Sequence, residues 1–309
     1  MRVVFLGTAA FAVPALGHAA ERHDVVAVVT QPDKPGSRGR PASRPVADLA
    51  RRLGAPVLTP RRVRDAEAVA AIAAHRPDVL VVAAYGQILP QELLDLPRLA
   101  PVNVHASLLP RWRGASPVAH AILAGDTETG VTIMRMDAGL DTGAIYAQQR
   151  VAIPDDATTP SLTATLADVG ASLLDDVLQR LEHGQIVATP QPDEGVTLAP
   201  RLRREDGEVR WAEQSAVEVD RRVRALQPWP GVTAPLAGVP LRILSGRPAD
   251  APAAPAPVAE VSPGSVVGTK QESVVVAARD GAYQVDRVVP PGSREMSAAA
   301  FLRGRRGGR

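Results

Sequence analysis

The chain has 309 residues, 45% of them hydrophobic and 22% charged, which predicts a globular protein and favours two domains over one. It contains no cysteine, and this excludes disulfides, cysteine nucleophiles and cysteine-ligated zinc. The formal net charge is +2, and almost all of the positive charges are on arginine. A mild basic excess favours an anionic partner.

No segment of the sequence has the character of a signal peptide or a membrane helix. Met1 to Gly7 passes directly into a short apolar run and a turn, which is too short for a secretory signal. An uncharged stretch of about 18 residues, the length needed to span a bilayer, is absent. We therefore expect a cytoplasmic protein that does not bind membranes.

The first part of the chain alternates strand-like and helix-like segments. In order these are a strand at Val3 to Leu6, a helix at Phe11 to Arg22, a strand at Val25 to Thr30, a helix at Val46 to Leu53, a short strand at Pro56 to Leu58, a helix at Asp65 to His75 and a strand at Val79 to Ala84. The last of these strands is continuously apolar, which is typical of a buried parallel sheet. The alternation predicts an α/β fold with a doubly wound, mostly parallel sheet.

The same pattern continues to His183. Its remaining segments are a strand at Leu99 to Val104, a helix at Pro117 to Ala124, strands at Gly130 to Met136 and Gly143 to Arg150, and a long amphipathic helix at Ser161 to His183. Gly184 follows that helix at a position typical of a C-cap.

The composition then changes. Residues 190–205 are rich in proline and charge and predict a linker between domains 1–189 and 206–309. The second domain has one helical stretch, Ala216 to Leu226, and otherwise short β-like runs that predict a small β-barrel. These runs are Val239 to Leu244, Gly264 to Val267, Ser273 to Ala277 and Tyr283 to Val289. An Ala/Pro tract at 248–257 predicts a loop within this domain.

One predicted strand ends in chemically useful side chains. Asn103 and His105 alternate along it and therefore share a face, near the carboxyl end of a parallel strand, where open α/β sheets bind ligands. Asp141, in the Gly- and Asp-rich connection after Met136, is an acid that could orient an imidazole. The alternatives are a strand-end histidine bonded to a neighbour and an aspartate that only shapes a turn.

A loop rich in Gly, Pro and cations follows the second predicted strand. It spans Thr30 to Pro41, with Arg44 beyond, and its charges favour phosphate binding, although a solvated surface loop would have the same composition. Gly7-Thr8 lacks the G-x-G-x-x-G spacing of a dinucleotide site. The other histidines lack metal-ligand spacing, so no metal site is predicted.

Several of these motifs resemble those of the methionyl-tRNA formyltransferase family over almost the whole chain. They are Phe5-Leu6-Gly7-Thr8 with Phe11-Ala12, Gln31-Pro32-Asp33-Lys34-Pro35 with Arg38-Gly39, Asn103 to Ala115, Gly130 to Met134, Gly139 to Gly143, and Pro228-Trp229-Pro230-Gly231. Asn-x-His-x-Ser-Leu-Leu-Pro with Leu-Asp-Thr-Gly is specific for formyl transfer from 10-formyltetrahydrofolate, but it does not name the acceptor. Ala9, where the family commonly has proline, and the tract at 248–257 depart from the pattern.

The resemblance implies a fold, a reaction and a set of sites. It implies a Rossmann-like formyltransferase domain, an OB-like barrel, and a monomer that transfers a formyl group from 10-formyltetrahydrofolate, a cosubstrate, to methionyl initiator tRNA. Catalysis would fall to Asn103, His105 and Asp141. The folate carrier would lie against Ser107, Leu108, Leu109 and Pro110, with core packing as the alternative for the leucines. The tRNA contacts implied are Lys34, Arg38, Arg40, Arg44, Arg201, Arg203 and Arg204, with Arg221, Arg222 and Arg224 as further candidates or a solvated helix face.

Three other functions stay open on the sequence. A formyltransferase acting on an amino sugar nucleotide would share the Asn, His and Asp set without needing the Arg38 loop. A formyltetrahydrofolate hydrolase usually carries a regulatory domain before the catalytic one, whereas the first strand here begins at Val3. A non-catalytic tRNA-binding module would not need all three side chains.

Overall fold

A computed structural model describes residues 1–32, 44–249 and 261–306, with the side chain of Arg306 excepted. Two compact units are present. The first comprises residues 1–118, 127–153 and 161–200, and the second comprises residues 119–126, 154–160 and 201–309. Within the described ranges, no helix is long and apolar enough to cross a membrane.

The first unit is built on a seven-stranded sheet with strand order β3-β2-β1-β4-β5-β7-β8. Its strands are β1 Arg2–Gly7, β2 Asp24–Val29, β3 Val57–Leu58, β4 Val79–Ala83, β5 Ala100–His105, β7 Glu128–Arg135 and β8 Ile145–Ala152. The strands β1 to β5 are parallel, whereas β7 and β8 are antiparallel to their neighbours. The predicted doubly wound, mostly parallel sheet is thus confirmed.

The strand sequences explain the position of this sheet in the core. Every residue of β4 and of β5 is buried, as their continuous apolar runs predict. The edge strand β8 is partly exposed, and its polar residues agree with that position. A further two-stranded sheet pairs β6, Arg113–Gly114, with β9, Leu198–Ala199.

Six helices lie in the described part of residues 1–182. They are α1 Ala12–Arg22, α2 Pro45–Arg52, α3 Ala66–Ala73, α4 Gln91–Leu94, α5 Pro117–Ala124 and α6 Thr159–Glu182. Close packing of α6 on the sheet depends on Gly170, since an added Cβ there would lie 3.0 Å from Val104 and 3.3 Å from Val131. The long helix ends as predicted, with Gly184 in a left-handed conformation (φ +66°).

The second unit carries an antiparallel sheet with strand order β10-β11-β14-β13-β12, and β15 pairs with β14. Its strands are β10 Val232–Leu236, β11 Val239–Ala249, β12 Val266–Lys270, β13 Ser273–Ala278, β14 Gly281–Val289 and β15 Met296–Ser297. Its described helices include α7 Ala216–Ala225, α8 Ala298–Arg306 and most of α5, and a 3-10 turn spans Arg204–Gly207. Helix α7 begins with a capping box in which the Ser215 hydroxyl accepts from Glu218 N and the Glu218 carboxylate accepts from Ser215 N.

Candidate active site

Strand β5 carries two polar side chains among apolar residues. Asn103 and His105 are only 9% and 6% exposed. They alternate on the strand and so share one face, as the sequence predicts. In register, Asn103 lies beside Val82 of β4 and His105 beside Thr132 of β7. Among the described residues, none hydrogen-bonds the Asn103 carboxamide, which leaves its N–H groups available for a ligand.

The His105 imidazole has a neighbouring oxygen at each ring nitrogen. Nε2 lies 2.9 Å from the carbonyl oxygen of Trp112, and because a carbonyl can only accept, Nε2 carries the hydrogen in this contact. Nδ1 lies 3.7 Å from Oδ2 of Asp141. The distance is too long for a hydrogen bond, so the Asp141 carboxylate faces Nδ1 without bonding it. Strand-end His105 and turn residue Asp141 therefore do meet in space.

Asp141 lies in the connection between β7 and β8. Its backbone has φ +51°, a left-handed conformation that costs a non-glycine residue free energy and is held here by contacts. Oδ2 accepts a 2.8 Å hydrogen bond from Gly114 N, and the Asp141 carbonyl accepts one from the Gln191 side chain, also at 2.8 Å. Its carboxylate is therefore oriented before any ligand binds.

The turn that follows His105 is fixed by one buried threonine. The Thr132 hydroxyl donates to Ser107 O at 2.6 Å and accepts from Leu109 N at 3.1 Å. The Gln148 side-chain amide donates to Leu109 O at 2.8 Å and to the Thr132 hydroxyl at 2.9 Å. The backbone of this turn is thus largely bonded within the protein.

The four turn residues implied as folate contacts differ in exposure. Ser107 is fully buried, and its hydroxyl donates to Arg111 O at 2.6 Å. Leu109 is 3% exposed, so the core-packing alternative applies to it. Leu108 and Pro110 are half-buried. Of the two leucines, Leu108 offers the apolar side chain that a bound ring could contact.

Gln31, at the start of the predicted basic loop, and Thr8, after β1, are both hydrogen-bonded to the segment that follows β4. The Thr8 hydroxyl donates to Tyr85 O at 3.1 Å, and the Gln31 side-chain amide donates to the same oxygen at 2.8 Å. Burial raises the pKa of the Tyr85 phenol to about 12, so this side chain stays neutral. Lys34, Arg38 and Arg40, three of the implied tRNA contacts, lie outside the described residues.

The remaining implied tRNA contacts are placed as follows. Arg44 is half-buried at the N-cap of α2. Arg201, Arg203 and Arg204 are exposed at the start of the second unit. Two of the three helix arginines have internal partners: Arg222 donates to Asp206 O, and Arg224 bonds the Asp220 carboxylate at 2.7 Å and Ala157 O at 3.0 Å. These last contacts are structural.

Across the described residues, no group of three or more histidine, aspartate or glutamate side chains has the arrangement of a metal site.

Comparison with known proteins identifies the arrangement. Residues 1–178 match the family model described as formyl transferase, and residues 201–306 match its C-terminal domain. The methionyl-tRNA formyltransferase of Paramagnetospirillum magneticum is 46% identical over 309 residues, covering 98% of this chain and 97% of that relative. The chain belongs to the methionyl-tRNA formyltransferase family.

Other relatives agree with this assignment. The methionyl-tRNA formyltransferase of Roseiflexus sp. is 47% identical over 310 residues, covering 99% of this chain and 93% of that relative. The fold is shared with WlaRD, a sugar 3N-formyl transferase, at a TM-score of 0.68 and 16% identity over 95% of this chain and 99% of that one. It is also shared with HypX from Aquifex aeolicus in complex with tetrahydrofolic acid, at a TM-score of 0.67 and 20% identity. That alignment covers 98% of this chain and 47% of HypX.

The resemblance carried by the motifs is therefore confirmed, and formyltetrahydrofolate-dependent transfer is the chemistry of this family. The residues that sequence reasoning missed are those that hold the site. Thr132 lies in the Gly130 to Met134 motif but has no role predicted from it, Gln148 lies outside every motif, and Gln191 and Thr197 lie in the segment predicted as a linker. Part of that segment, residues 190–200, belongs to the first unit.

Proposed function

We propose that the chain transfers the formyl group of 10-formyltetrahydrofolate to the amino group of methionyl initiator tRNA, with Asn103, His105 and Asp141 as its catalytic residues. The observation that carries this is the convergence of His105 and Asp141 at 3.7 Å in a member of this family, with Asn103 two residues before His105 on the same strand. Similarity to relatives named for methionyl-tRNA runs over both domains, which supports the acceptor.

The residues around the site fit a folate carrier. Apolar side chains are exposed in the loops that follow the neighbouring strands: Ile88, after β4, is 90% exposed, and Leu140, next to Asp141, is 63% exposed. Exposed apolar surface beside polar groups is typical of a binding site for a flat, partly apolar ligand. Leu108 would add apolar contact from the turn. The bound carrier supplies the activated formyl carbon.

The side chains suit acyl transfer to an amine. Attack of the amine nitrogen on the formyl carbon forms the new C–N bond and leaves negative charge on the formyl oxygen, which an N–H of Asn103 can stabilise. The bond to the folate nitrogen then breaks, and that nitrogen takes up a proton. His105 can deliver or receive this proton through Nδ1, because Nε2 is already bonded to the Trp112 carbonyl.

Asp141 supports the positive form of the imidazole. Its carboxylate is fixed by Gly114 N and lies 3.7 Å from Nδ1 of His105. A proton taken from the attacking ammonium onto His105 would therefore be stabilised by a nearby negative charge.

We assign tRNA binding to the basic residues of both domains. Exposed arginines neutralise phosphate charge without reading sequence. The proposed contacts are Lys34, Arg38, Arg40, Arg44, Arg201, Arg203 and Arg204. The domains proposed are a catalytic domain at 1–189 and a tRNA-binding domain at 206–309, joined by a linker at 190–205, of which residues 190–200 pack with the first unit. We further propose a cytoplasmic monomer.

A formylation assay with alternative acceptors tests the function. The purified protein is incubated with 10-formyltetrahydrofolate and either charged initiator methionyl-tRNA, the same tRNA uncharged, a dTDP-linked amino sugar, or no acceptor. Formyl transfer to the charged tRNA alone is the expected result. Transfer to the amino sugar or release of formate without an acceptor would instead identify a sugar formyltransferase or a hydrolase. Binding of the tRNA without any transfer would identify a non-catalytic module.

A further inference from the structure

The segment after helix α6 returns to the catalytic face of the first unit. We call residues 189–199 the strap. At its start, Thr189 and Ile145 exchange backbone hydrogen bonds of 2.8 and 2.7 Å. At its end, β9 pairs with β6, Arg113–Gly114, immediately after Trp112. The strap is therefore tied down at both ends, although its composition predicts a linker.

One strap side chain holds the backbone around Asp141. The Gln191 amide donates to Asp141 O and to Gly143 O, each at 2.8 Å. Its oxygen accepts from Nη2 and Nε of Arg113 at 2.7 and 3.1 Å. All the hydrogen-bonding capacity of its N–H₂ group is thus used on the two carbonyls.

A second strap side chain holds the other partner of His105. The Thr197 hydroxyl accepts from Trp112 N at 2.8 Å. Trp112 has φ +64°, so its backbone is in a left-handed conformation that needs support from its surroundings. Its carbonyl is the group that bonds Nε2 of His105 at 2.9 Å. Thr197 therefore fixes the residue whose carbonyl fixes the imidazole.

We propose that Gln191 and Thr197 are positioning residues that hold His105 from both of its nitrogens. Gln191 acts through Asp141 on the Nδ1 side, and Thr197 acts through Trp112 on the Nε2 side. Neither side chain touches the reacting atoms. The proposal rests on the proposed catalytic role of His105.

The physical argument is one of distance. The rate of proton transfer falls steeply when donor and acceptor are misplaced, and an error of about 1 Å can cost roughly 100-fold in rate. Both residues that bracket His105 have strained backbones, and a strained backbone relaxes when the hydrogen bonds that hold it are removed. Removal of either strap hydrogen bond should therefore displace a partner of the imidazole without removing any catalytic group.

Near-isosteric substitutions test each contact. Thr197→Val removes the hydroxyl at constant shape, whereas Thr197→Ser keeps it. Gln191→Glu keeps the acceptor for Arg113 but removes both donors to Asp141 O and Gly143 O. Glu194→Gln, an exposed change on the same strap, is the matched control. Each variant is assayed for formyl transfer after its thermal unfolding has been compared with wild type.

A fall in kcat with little change in the KM for folate is the expected result. Thr197→Val and Gln191→Glu should each lower kcat by about 10- to 100-fold. Thr197→Ser and Glu194→Gln should stay within about twofold of wild type.

Coupling to His105 separates positioning from general destabilisation. In a His105→Ala background, Thr197→Val should have almost no further effect on the residual single-turnover rate, because the group it positions is gone. Nitrogen NMR of labelled histidines gives a second readout. The chain has six histidines, and the signal that disappears in His105→Gln belongs to His105. The fraction of His105 that carries its hydrogen on Nε2 should be lower in Thr197→Val than in Thr197→Ser.

The outcomes distinguish two failures. Near-normal turnover of His105→Ala would overturn the catalytic site itself. If His105→Ala is impaired but Thr197→Val and Gln191→Glu match Glu194→Gln, only the positioning proposal falls. It also falls if Thr197→Val slows the His105→Ala enzyme by the same factor as the wild type, or if the Nε2 hydrogen of His105 is unchanged.

Discussion

The carboxylate of Asp141 lies 3.7 Å from Nδ1 of His105, but its hydrogen bond comes from the backbone N–H of Gly114, 2.8 Å from Oδ2. The Asp141 carboxylate is thus held by a backbone N–H group and faces the imidazole without a hydrogen bond to it. This relationship separates the effect of the charge at position 141 from its effect on local structure.

Asp141→Asn should lower kcat by about 100-fold or more while the protein remains folded. The amide oxygen of asparagine can still accept from Gly114 N, but the negative charge that faces His105, and that we propose assists proton transfer, is removed. Steady-state formyl transfer and thermal unfolding measure the two effects. Asp137→Asn, in the same loop, is the control, because the Asp137 side chain bonds Gly139 N and the Thr142 hydroxyl instead. Equal reductions in both variants would contradict the assignment.

Asn103→Ala should reduce kcat by about 100- to 1000-fold, the usual effect of removing one donor to a developing oxyanion. The free energy of unfolding should change little, because no described residue hydrogen-bonds this side chain and only the packing of a few atoms is lost. Turnover and the denaturant midpoint are measured on the same preparation. A large decrease in stability with normal turnover in the folded fraction would assign Asn103 a structural role.

Thr132→Val should raise the KM for 10-formyltetrahydrofolate and lower the free energy of unfolding by about 1–3 kcal/mol, because it leaves the buried Leu109 N–H without a partner. Thr132→Ser should restore both. Thr129→Val on the same strand is the control: the Thr129 hydroxyl is buried without a partner among the described residues, so its removal should be neutral or stabilising. Identical behaviour of the two valine variants would exclude a special role for Thr132.

Substitution of Arg201, Arg203 and Arg204 by glutamine should weaken tRNA binding and flatten its salt dependence. The slope of log K against log salt should fall by about 0.7–0.9 for each phosphate that the variant no longer neutralises. Binding is measured over a range of salt concentrations by fluorescence anisotropy. Arg303→Gln serves as control, since that exposed arginine is paired with Glu272 at 3.2 Å. An unchanged slope in the triple variant would remove these arginines from the interface.

The stability of the protein should fall as pH decreases below about 6.5, and His23 should account for part of that fall. Burial, followed by the neighbouring α-amino group, lowers the pKa of His23 from its usual 6.5. The unfolded chain therefore binds a proton at this site before the folded chain does, so stability is lost between 6.5 and the lower folded pKa. Neither ring nitrogen has a hydrogen-bond partner among the described residues.

Urea unfolding of the wild type and of His23→Leu across this pH range tests the prediction. The difference in free energy of unfolding between them should change as the pH falls, because only the wild type loses stability through this group. Parallel curves would show that His23 does not titrate on unfolding in this window.

The sequence predicts the strands of the first sheet well because short, continuous apolar runs such as Val79 to Ala84 are typical of buried parallel strands. It misses α4, which is a single turn, and α8, whose three arginines conceal its apolar side. Asn103, His105 and Asp141 could be proposed as catalytic residues from the sequence because they lie in a specific motif. Gln191 and Thr197 could not, since their bonds reach 50 and 85 residues back along the chain and leave no local pattern.

The strap also determines where the chain can be truncated to obtain the first unit alone. The family model for the first domain ends at residue 178, within helix α6. A fragment cut there would keep all three proposed catalytic side chains but would expose the Asp141 and Trp112 peptides to water. An excised domain intended for crystallography or inhibitor screening should therefore extend through Pro200.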